Sequence, residues 1–533
     1  MSRSGRQYTE KNRYKEKKVT LRKRLITILI IVLCAGGVYA AGHFGLTMRH
    51  NEETEAEEDS LFTRRETIYL WYTDEALTDY LNSVAVAYSE YQDAVRVMPV
   101  YTSGREYLET VNQAALHTEE VPDLYIISND SLEKAYLAGL ASEVRLPEGT
   151  LTMEQWYPET AVRAVTYRDK QIAYPFYFET SCFLYNRTYL EDWARAQIEA
   201  QQDMEGAQQQ ADEAAEAGTE STSADGESAG REEGDAEASD SMEDAVEARV
   251  EQALPDTIDD ILTFAYEYDA PEQVEGVFKW DVSDIFYNYF FVGSAIDVGG
   301  PNGDQADSIH IYNENAIKCM RVYQDLNQFF SIDTKEISYD GVLQEFMDGK
   351  IVYTVATSDA LSKIETAKAE GNFAYEYGIS MLPDVSDELA SSSLSVTQCV
   401  VVNGYSEKKD MANDFAVYLT QHASDTLFDR TGKLPVGNVG DTYADANREA
   451  FLQEYKSSVP MPKMIETSNF WVELEITFAR IWGGEDANSG LKALSEKIMS
   501  QVVGGEYEEE YIDLPEEVVE EYVDEETEEE EEE

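Results

Sequence analysis

Residues Asp169–Asn186 read DKQIAYPFYFETSCFLYN, and how this stretch divides decides the fold. Arg168-Asp169-Lys170 is a turn signal ahead of a long run of β-branched and aromatic residues. Pro175 lies inside the run. Proline cannot donate a ladder hydrogen bond, so one uninterrupted central strand is not expected. Ile172–Phe176 and Ser181–Tyr185 are predicted as two strands with an irregular joint, and Glu179 and Thr180 are the polar pair at that joint. A strand that leaves one sheet, carries a carboxylate at the gap and enters a second sheet is what a two-lobed protein needs at its hinge. An ordinary core strand with a proline at one end fits the local pattern equally well.

Upstream, Thr67–Tyr72 is a strand followed by the polar turn Thr73-Asp74-Glu75, and Leu77–Tyr91 has helical apolar spacing. Ala94–Tyr101 is a second strand, Tyr107–Leu116 a helix and Pro122–Ser128 a third strand, ending at Asn129-Asp130. Leu132–Gly139 is the next helix. This alternation predicts a parallel doubly wound sheet. Ligands of such sheets bind beyond the carboxyl ends of the strands, where Asp74, Glu75 and Asp130 fall. Acids at these positions also serve as ordinary helix caps and first-turn acids.

Downstream, Thr188–Ala194 begins a helix. Composition then collapses into Ala, Glu, Gln, Gly, Ser and Asp through about Val250, and order resumes with proline and a cap at Leu254-Pro255-Asp256-Thr257, before the helix Ile258–Tyr266. The Gly218–Ser241 part cannot bury a core and is expected to be disordered, while 194–210 fits an exposed helix. Val277–Gly300 is dense in aromatics. Ile379–Pro383 and Ser395–Val402 are return strands, with the helix Met411–Leu419 after them. Trp471–Trp482 and Leu491–Val503 are helices.

The quoted stretch resembles the crossover of extracellular solute-binding proteins of carbohydrate ABC transporters, the family of maltose/maltodextrin-binding protein. A "GKxIAYP…E…LxYN" run carries the chain between the lobes there. Further matches occur in the same order. PDLYII with Asp130 resembles the family's "PDI" strand and its sugar-contacting Asp. LPDTIDDILTFA at 254–265 resembles its "PKTWEE" helix. Val277–Gly300 is similar to an aromatic helix ending in Gly-Gly. FMDGKIVYTVATSD at 346–359 resembles "F..GK.AM.I.G.W", with Asp359 where maltodextrin binders place an aromatic. VPMPKMIETSNFW at 459–471 resembles "MPNIPEMSAFW", whose final aromatic stacks on sugar. Ile127 replaces the aromatic that maltodextrin binders carry upstream of the Asp, which weakens the likeness in specificity.

The resemblance implies a two-lobed α/β clamshell of the periplasmic-binding-protein type with hinge-crossing strands. Residues 66–178 and 400–458 would form lobe I. Residues 179–399 and 459–504 would form lobe II, with 196–250 a disordered acidic insertion and 505–533 an acidic disordered tail. The ligand would be a carbohydrate, delivered to the permease subunits of an ABC transporter. The site residues implied are Trp471, Glu179, Asp130, Asp359, Glu75, Asp74, Tyr287, Asp284 and Trp280, with Asp281 beside them. Thr397–Asn403 would be the second hinge strand, bringing Cys399 near Cys182. A disulfide needs Cα atoms within about 7 Å, and two packed thiols are the alternative.

Composition sets outer bounds. With 533 residues the chain exceeds one hydrophobic core. A net charge of −65 argues against nucleic-acid binding, which needs Lys and Arg on phosphates. Four cysteines, scattered at 34, 182, 319 and 399, suggest neither a disulfide framework nor a zinc site. No cofactor or metal is expected. Met1–Arg24 is basic, Leu25–Met48 is apolar apart from Thr27, His43 and Thr47, and Glu52–Asp59 is an acidic spacer. This order predicts a single transmembrane helix at 25–48, residues 1–24 cytoplasmic, 49–65 as spacer, and the bulk outside the cell. Cleavage after Val38-Tyr39-Ala40 is the alternative. Leu33 makes a lipoprotein cut before Cys34 poor.

Paired carboxylates such as Glu179 and Asp130 would also suit glycoside hydrolysis. Against an enzyme stands the lack of G-x-S-x-G, H-E-x-x-H and P-loop motifs. A membrane-anchored ligand-sensing or scaffolding ectodomain without a transport role is the other reading. The sequence names no particular sugar.

Overall fold

The computed structural model describes residues 65–102, 104, 106–117, 121–216, 234–330, 332–437 and 439–515. The expected membrane segment at 25–48 lies outside them. Among the described residues no helix is long and apolar enough to cross a membrane.

Among the described residues fourteen strands follow in order: β1 (Glu66–Tyr72), β2 (Val95–Tyr101), β3 (Leu124–Ser128), β4 (Thr166–Tyr167), β5 (Lys170–Gln171), β6 (Tyr174–Asn186), β7 (Gly276–Phe278), β8 (Asp297–Val298), β9 (Ile309–His310), β10 (Ile351–Thr357), β11 (Tyr377–Ser380), β12 (Leu394–Val402), β13 (Leu434–Pro435) and β14 (Val459–Pro460). β1 runs parallel to β2 and β3, with the helices Thr78–Tyr91 and Tyr107–His117 as crossovers. Leu124–Ile127 of β3 are all buried, the pattern of a strand covered on both faces. β12 joins antiparallel beside β3, and β6 antiparallel beside β12. The first sheet therefore reads β2-β1-β3-β12-β6.

β6 is one continuous strand of 13 residues, not two. Tyr174–Thr180 pair with β12 in the first sheet. Ser181–Tyr185 pair with β10, and Phe183–Asn186 with β11, in a second sheet completed by β7. The irregularity read from Pro175 is real, but it sits at the proline. Cys399 pairs with Pro175 and Gln398 with Tyr177, so Phe176 is the extra residue of a bulge. The Phe176 carbonyl is taken by the Val436 N–H at 3.1 Å. A proline at a bulge costs no ladder bond, and the strand runs through Glu179 and Thr180 unbroken.

Among the described residues two buried clusters form, and the first, built on the first sheet, also takes in one face of the second through Cys182, Leu184, Ala356 and Ile379. Over the second sheet, Phe183, Phe278, Trp280, Tyr323, Tyr353 and Trp482 are buried together with the helices Glu314–Phe330, Phe470–Trp482 and Ala487–Val503. The aromatic stretch 277–300 is not a regular helix. It makes two 3-10 turns, Ile285–Tyr287 and Tyr289–Phe291. Asp281 accepts from the Ser283 N–H and Asp284 from the Phe286 N–H, at 2.9 and 2.8 Å. Such short-range side-chain bonds offer the backbone an alternative to a helix.

The acidic insertion expected to be disordered over 196–250 is in part helical. Arg187–Glu216 and Gly234–Ala253 are helices packed on each other. Val246, Val250 and Ala253 are buried in the second core. They recur at helical spacing inside an acid-rich sequence, a signal that average composition hides. Replacing 196–250 by a Gly/Ser link is therefore expected to lower stability by on the order of 2 kcal/mol, the burial of two valines. Removing only 209–241 leaves those residues in place and is expected to change the melting temperature little. Equal melting temperatures for the two deletions would refute this.

The first part of the acidic tail is also ordered. Tyr507 N donates to Ser500 Oγ at 3.1 Å, Asn488 Nδ2 to Ile512 O at 2.8 Å, and Arg321 to the carbonyls of Leu514 and Pro515 at 3.1 and 3.0 Å. Cys182 and Cys399 are free, buried thiols. Cys399 pairs with Pro175, seven places along β6 from Cys182, or roughly 20 Å at the rise of a strand. No disulfide joins them.

Candidate functional site

The carboxyl ends of β1 and β3 and the Gln398 position of the antiparallel β12 surround a crevice of ≈ 620 Å³ lined by Thr73, Ser128, Ser131, Lys134 and Gln398 among others. Ser128 pairs with Gln398 across β3 and β12, and Gln398 with Tyr177 across β12 and β6. The three stand in a row along the top of the first sheet. Asp130 sits in the short turn after β3, with Ser128 Oγ donating to it. Asn129, fully buried, receives the Thr397 N–H at 2.9 Å and donates to Met461 O at 2.7 Å. It pins the end of β3 to the chain that leads into the last two helices.

Asp74 caps the turn Glu75–Leu77 by accepting from Ala76 N at 3.0 Å. Its other oxygen lies 3.2 Å from Lys433 Nζ, and so does a carboxylate oxygen of Glu179. The Lys433 ammonium is 5.5 Å from the centre of the Tyr177 ring, whose hydroxyl is 3.5 Å from Asp74. Burial lowers the Lys433 pKa, but Glu179 and Asp74 outweigh it and hold the ammonium above its ordinary value. Burial, aided by the two acids, pushes the Tyr177 phenol well up, so it stays a hydroxyl. β13 pairs with Tyr177 and Phe178 and sets Lys433 beside Glu179. Gly432, at φ 71°, ends the helix before it. A methyl there would meet the Ser362 hydroxyl at 2.5 Å, so this loop of the first sheet rests on the helix Asp359–Glu370 of the second.

Across the handover, Ser181 pairs with Thr357 at the end of β10. Thr357 and Tyr339 hydroxyls donate to one oxygen of Asp359 at 2.5 and 2.7 Å, and Lys363 Nζ is 2.8 Å from the other. Burial raises the Asp359 pKa, but these three donors overcome it and leave the carboxyl below its ordinary value. The Tyr287 ring stacks on Tyr339 at 4.8 Å and 14°.

Asp74, Glu179, Asp359 and Tyr287 are thus gathered on the two sides of the β6 handover. Asp284 is exposed as the cap beside Tyr287, and Glu75 is exposed. Trp471 is half-buried, 5.6 Å from the Tyr289 ring. Trp280 is not a cleft residue. It is fully buried and stacks on Phe278 at 4.5 Å. Asp281 is likewise buried and folds back on Ser283. Sequence reasoning missed Lys433, Tyr339 and Lys363. For Lys433 the signal was a helix-ending Gly432 followed by Lys and Leu-Pro.

Behind the site, Lys463 is buried in the chain that follows β14, 1% exposed. Its Nζ donates to the carbonyls of Arg163, at 3.0 Å, and Asn302. The loop carrying Asn302 is pressed close: a methyl on Gly303, at φ 64°, would lie 2.7 Å from Pro462 Cα. Burial depresses the Lys463 pKa to about 8, with Asp304, Cys399 and Glu133 opposing. The unfolded chain then binds this proton more tightly than the folded one. Stability is expected to rise with pH between about 8 and the ordinary lysine value, and Lys463→Met to abolish that increment. Parallel stability–pH curves for the two proteins over that range would refute it.

Two α/β lobes sharing a strand, with aromatic and carboxylate groups facing across it, define a two-lobed ligand-binding protein. The profile of the family described as Bacterial extracellular solute-binding protein matches residues 84–438, and the chain belongs to that family. No curated protein sequence matches it. Among solved structures, an extracellular solute-binding protein from Staphylococcus aureus in complex with maltose is similar at 16% identity and TM-score 0.61, covering 83% of this chain and 98% of that one. A maltose-binding periplasmic protein from Listeria monocytogenes in complex with maltose gives 19% and 0.59, covering 82% and 98%. The maltose-maltodextrin binding protein of Alicyclobacillus acidocaldarius gives 16% and 0.56, covering 81% and 100%. These likenesses establish the fold of a binding-protein clamshell.

Proposed function

We propose that the chain captures a saccharide between its two sheets and delivers it to the permease of an ABC importer, tethered outside the cell by residues 25–48. The observations that support this reading are the half-buried Trp471 ring and the partly exposed Asp359, with Asp359 across the β6 handover from Glu179 and Asp74; Tyr287 is buried behind Tyr339. A pyranose presents C–H faces, which rings cover, and hydroxyls, which carboxylates accept. Asp130 extends that mixture, and Asp284 and Glu75 stand at its margin. The maltose carried by the related structures supports the same ligand class. Bending at β6 would close the lobes on the ligand.

A thermal-shift screen of neutral oligosaccharides tests this, because a ligand of the folded state raises its apparent stability. At least one malto-oligosaccharide or related sugar is expected to raise the melting temperature and be recovered intact. Absence of any shift across the panel, or cleavage of the sugar, would overturn the reading.

A further inference from the structure

We propose that Asp74, Glu179 and the Tyr177 ring form an ammonium cage that the protein keeps filled with its own Lys433, and that Lys433 thereby excludes positively charged ligands from the cleft and reserves it for neutral ones. This rests on the saccharide reading above and names the ligand class within it.

The geometry is that of a bound amine. Two carboxylates from separate elements, the turn after β1 and the middle of β6, each approach Nζ to 3.2 Å. The Tyr177 ring offers its face at 5.5 Å, and an aromatic face beside carboxylates is a favourable setting for a cation. The side chains of Lys433, Asp74 and Glu179 are 24, 30 and 39% exposed, so the cage is open to solvent. Without the lysine, two adjacent negative charges would face the ligand. They would repel each other and draw in any amine of suitable size, such as the 2-amino group of a glucosamine unit. With the lysine in place, an incoming ammonium meets a like charge and finds both carboxylates taken. A neutral sugar hydroxyl can still approach, since each carboxylate keeps accepting capacity and the ammonium keeps a donor.

Lys433 is held by structure. Its backbone N–H is bound by Thr431 Oγ1 at 3.2 Å, and β13 follows it directly. Shortening the side chain is expected to empty the cage without moving its walls. Lys433→Ala should then bind ethylammonium and a glucosamine trimer at least ten-fold more tightly than wild type. Lys433→Arg should behave as wild type. Adding Glu179→Gln to Lys433→Ala should abolish the gain.

Titration calorimetry with ethylammonium, the glucosamine trimer and maltotriose reads all of this. The proposal is overturned if Lys433→Ala gains no amine affinity, or if wild type binds the glucosamine trimer as well as Lys433→Ala does. Should Lys433→Ala fail to fold, Lys433→Ser empties the cage with a small polar side chain, and no gain in glucosamine-trimer affinity there overturns the proposal. Failure of every neutral sugar to bind, with amine rescue intact, would sink the saccharide reading and leave the cage standing.

Discussion

Trp280→Ala is expected to lower the free energy of unfolding by about 3–5 kcal/mol, the cost of emptying a large aromatic site in a packed core, while the folded remainder keeps its ligand affinity. The Trp280 ring is fully buried and stacks on Phe278, with Trp482 edge-on at 5.6 Å and Phe330 edge-on at 6.3 Å. Its Nε1 donates to Asn288 Oδ1 at 2.8 Å. The Asn288 amide in turn donates to the carbonyls of Asp281 and Asp284, at 3.1 and 2.7 Å. Truncation therefore leaves a cavity and orphans a buried acceptor that organises the turn before Tyr287. Denaturant unfolding at fixed pH measures it. A loss below about 1 kcal/mol would mean that the surroundings collapse into the space, against the close packing of such cores.

Trp471→Ala should give the opposite pair of readouts. Its ring is half-buried at the start of the helix Phe470–Trp482, 4.9 Å from Phe470 and 5.6 Å from Tyr289. Part of the ring is packed and part is open to solvent. If it covers a sugar face, truncation costs roughly 2–4 kcal/mol of binding, as for a hot-spot aromatic, and little stability. Calorimetry with a sugar that binds wild type, paired with a melting curve, separates the cases. Retained affinity with large destabilisation would make Trp471 a packing residue.

The contrast between these tryptophans shows what was legible in the sequence. Strand alternation and helical spacing located the parallel strands of the first sheet within a residue or two, because burial on one or two faces writes directly into residue order. The crossing at 174–186 was recognisable, but the bulge was placed too late. Proline marks a missing donor, and only the partner strand β12 reveals where the ladder absorbs it. Which aromatics face the cleft was not legible. Trp280 and Tyr287 lie in one aromatic run and both are buried, Trp280 stacked on Phe278 and Tyr287 on Tyr339 beside Asp359. Lys433 was invisible for another reason: its carboxylate partner Glu179 lies 254 residues away in sequence, and Asp74 lies farther still.

The order of strands in the first sheet has a consequence for how the chain acquires its structure. β12 closes that sheet between β3 and β6, and its tie to β3 joins Asn129 and Thr397, 268 residues apart. The last two helices over the second sheet come later still. Contacts of such long range are slow to form, because loop closure must precede any reward from pairing. A chain emerging amino end first carries β1, β2, β3 and β6 for most of its length before it can complete either sheet. It would therefore remain pliable until synthesis has passed β12 and those helices.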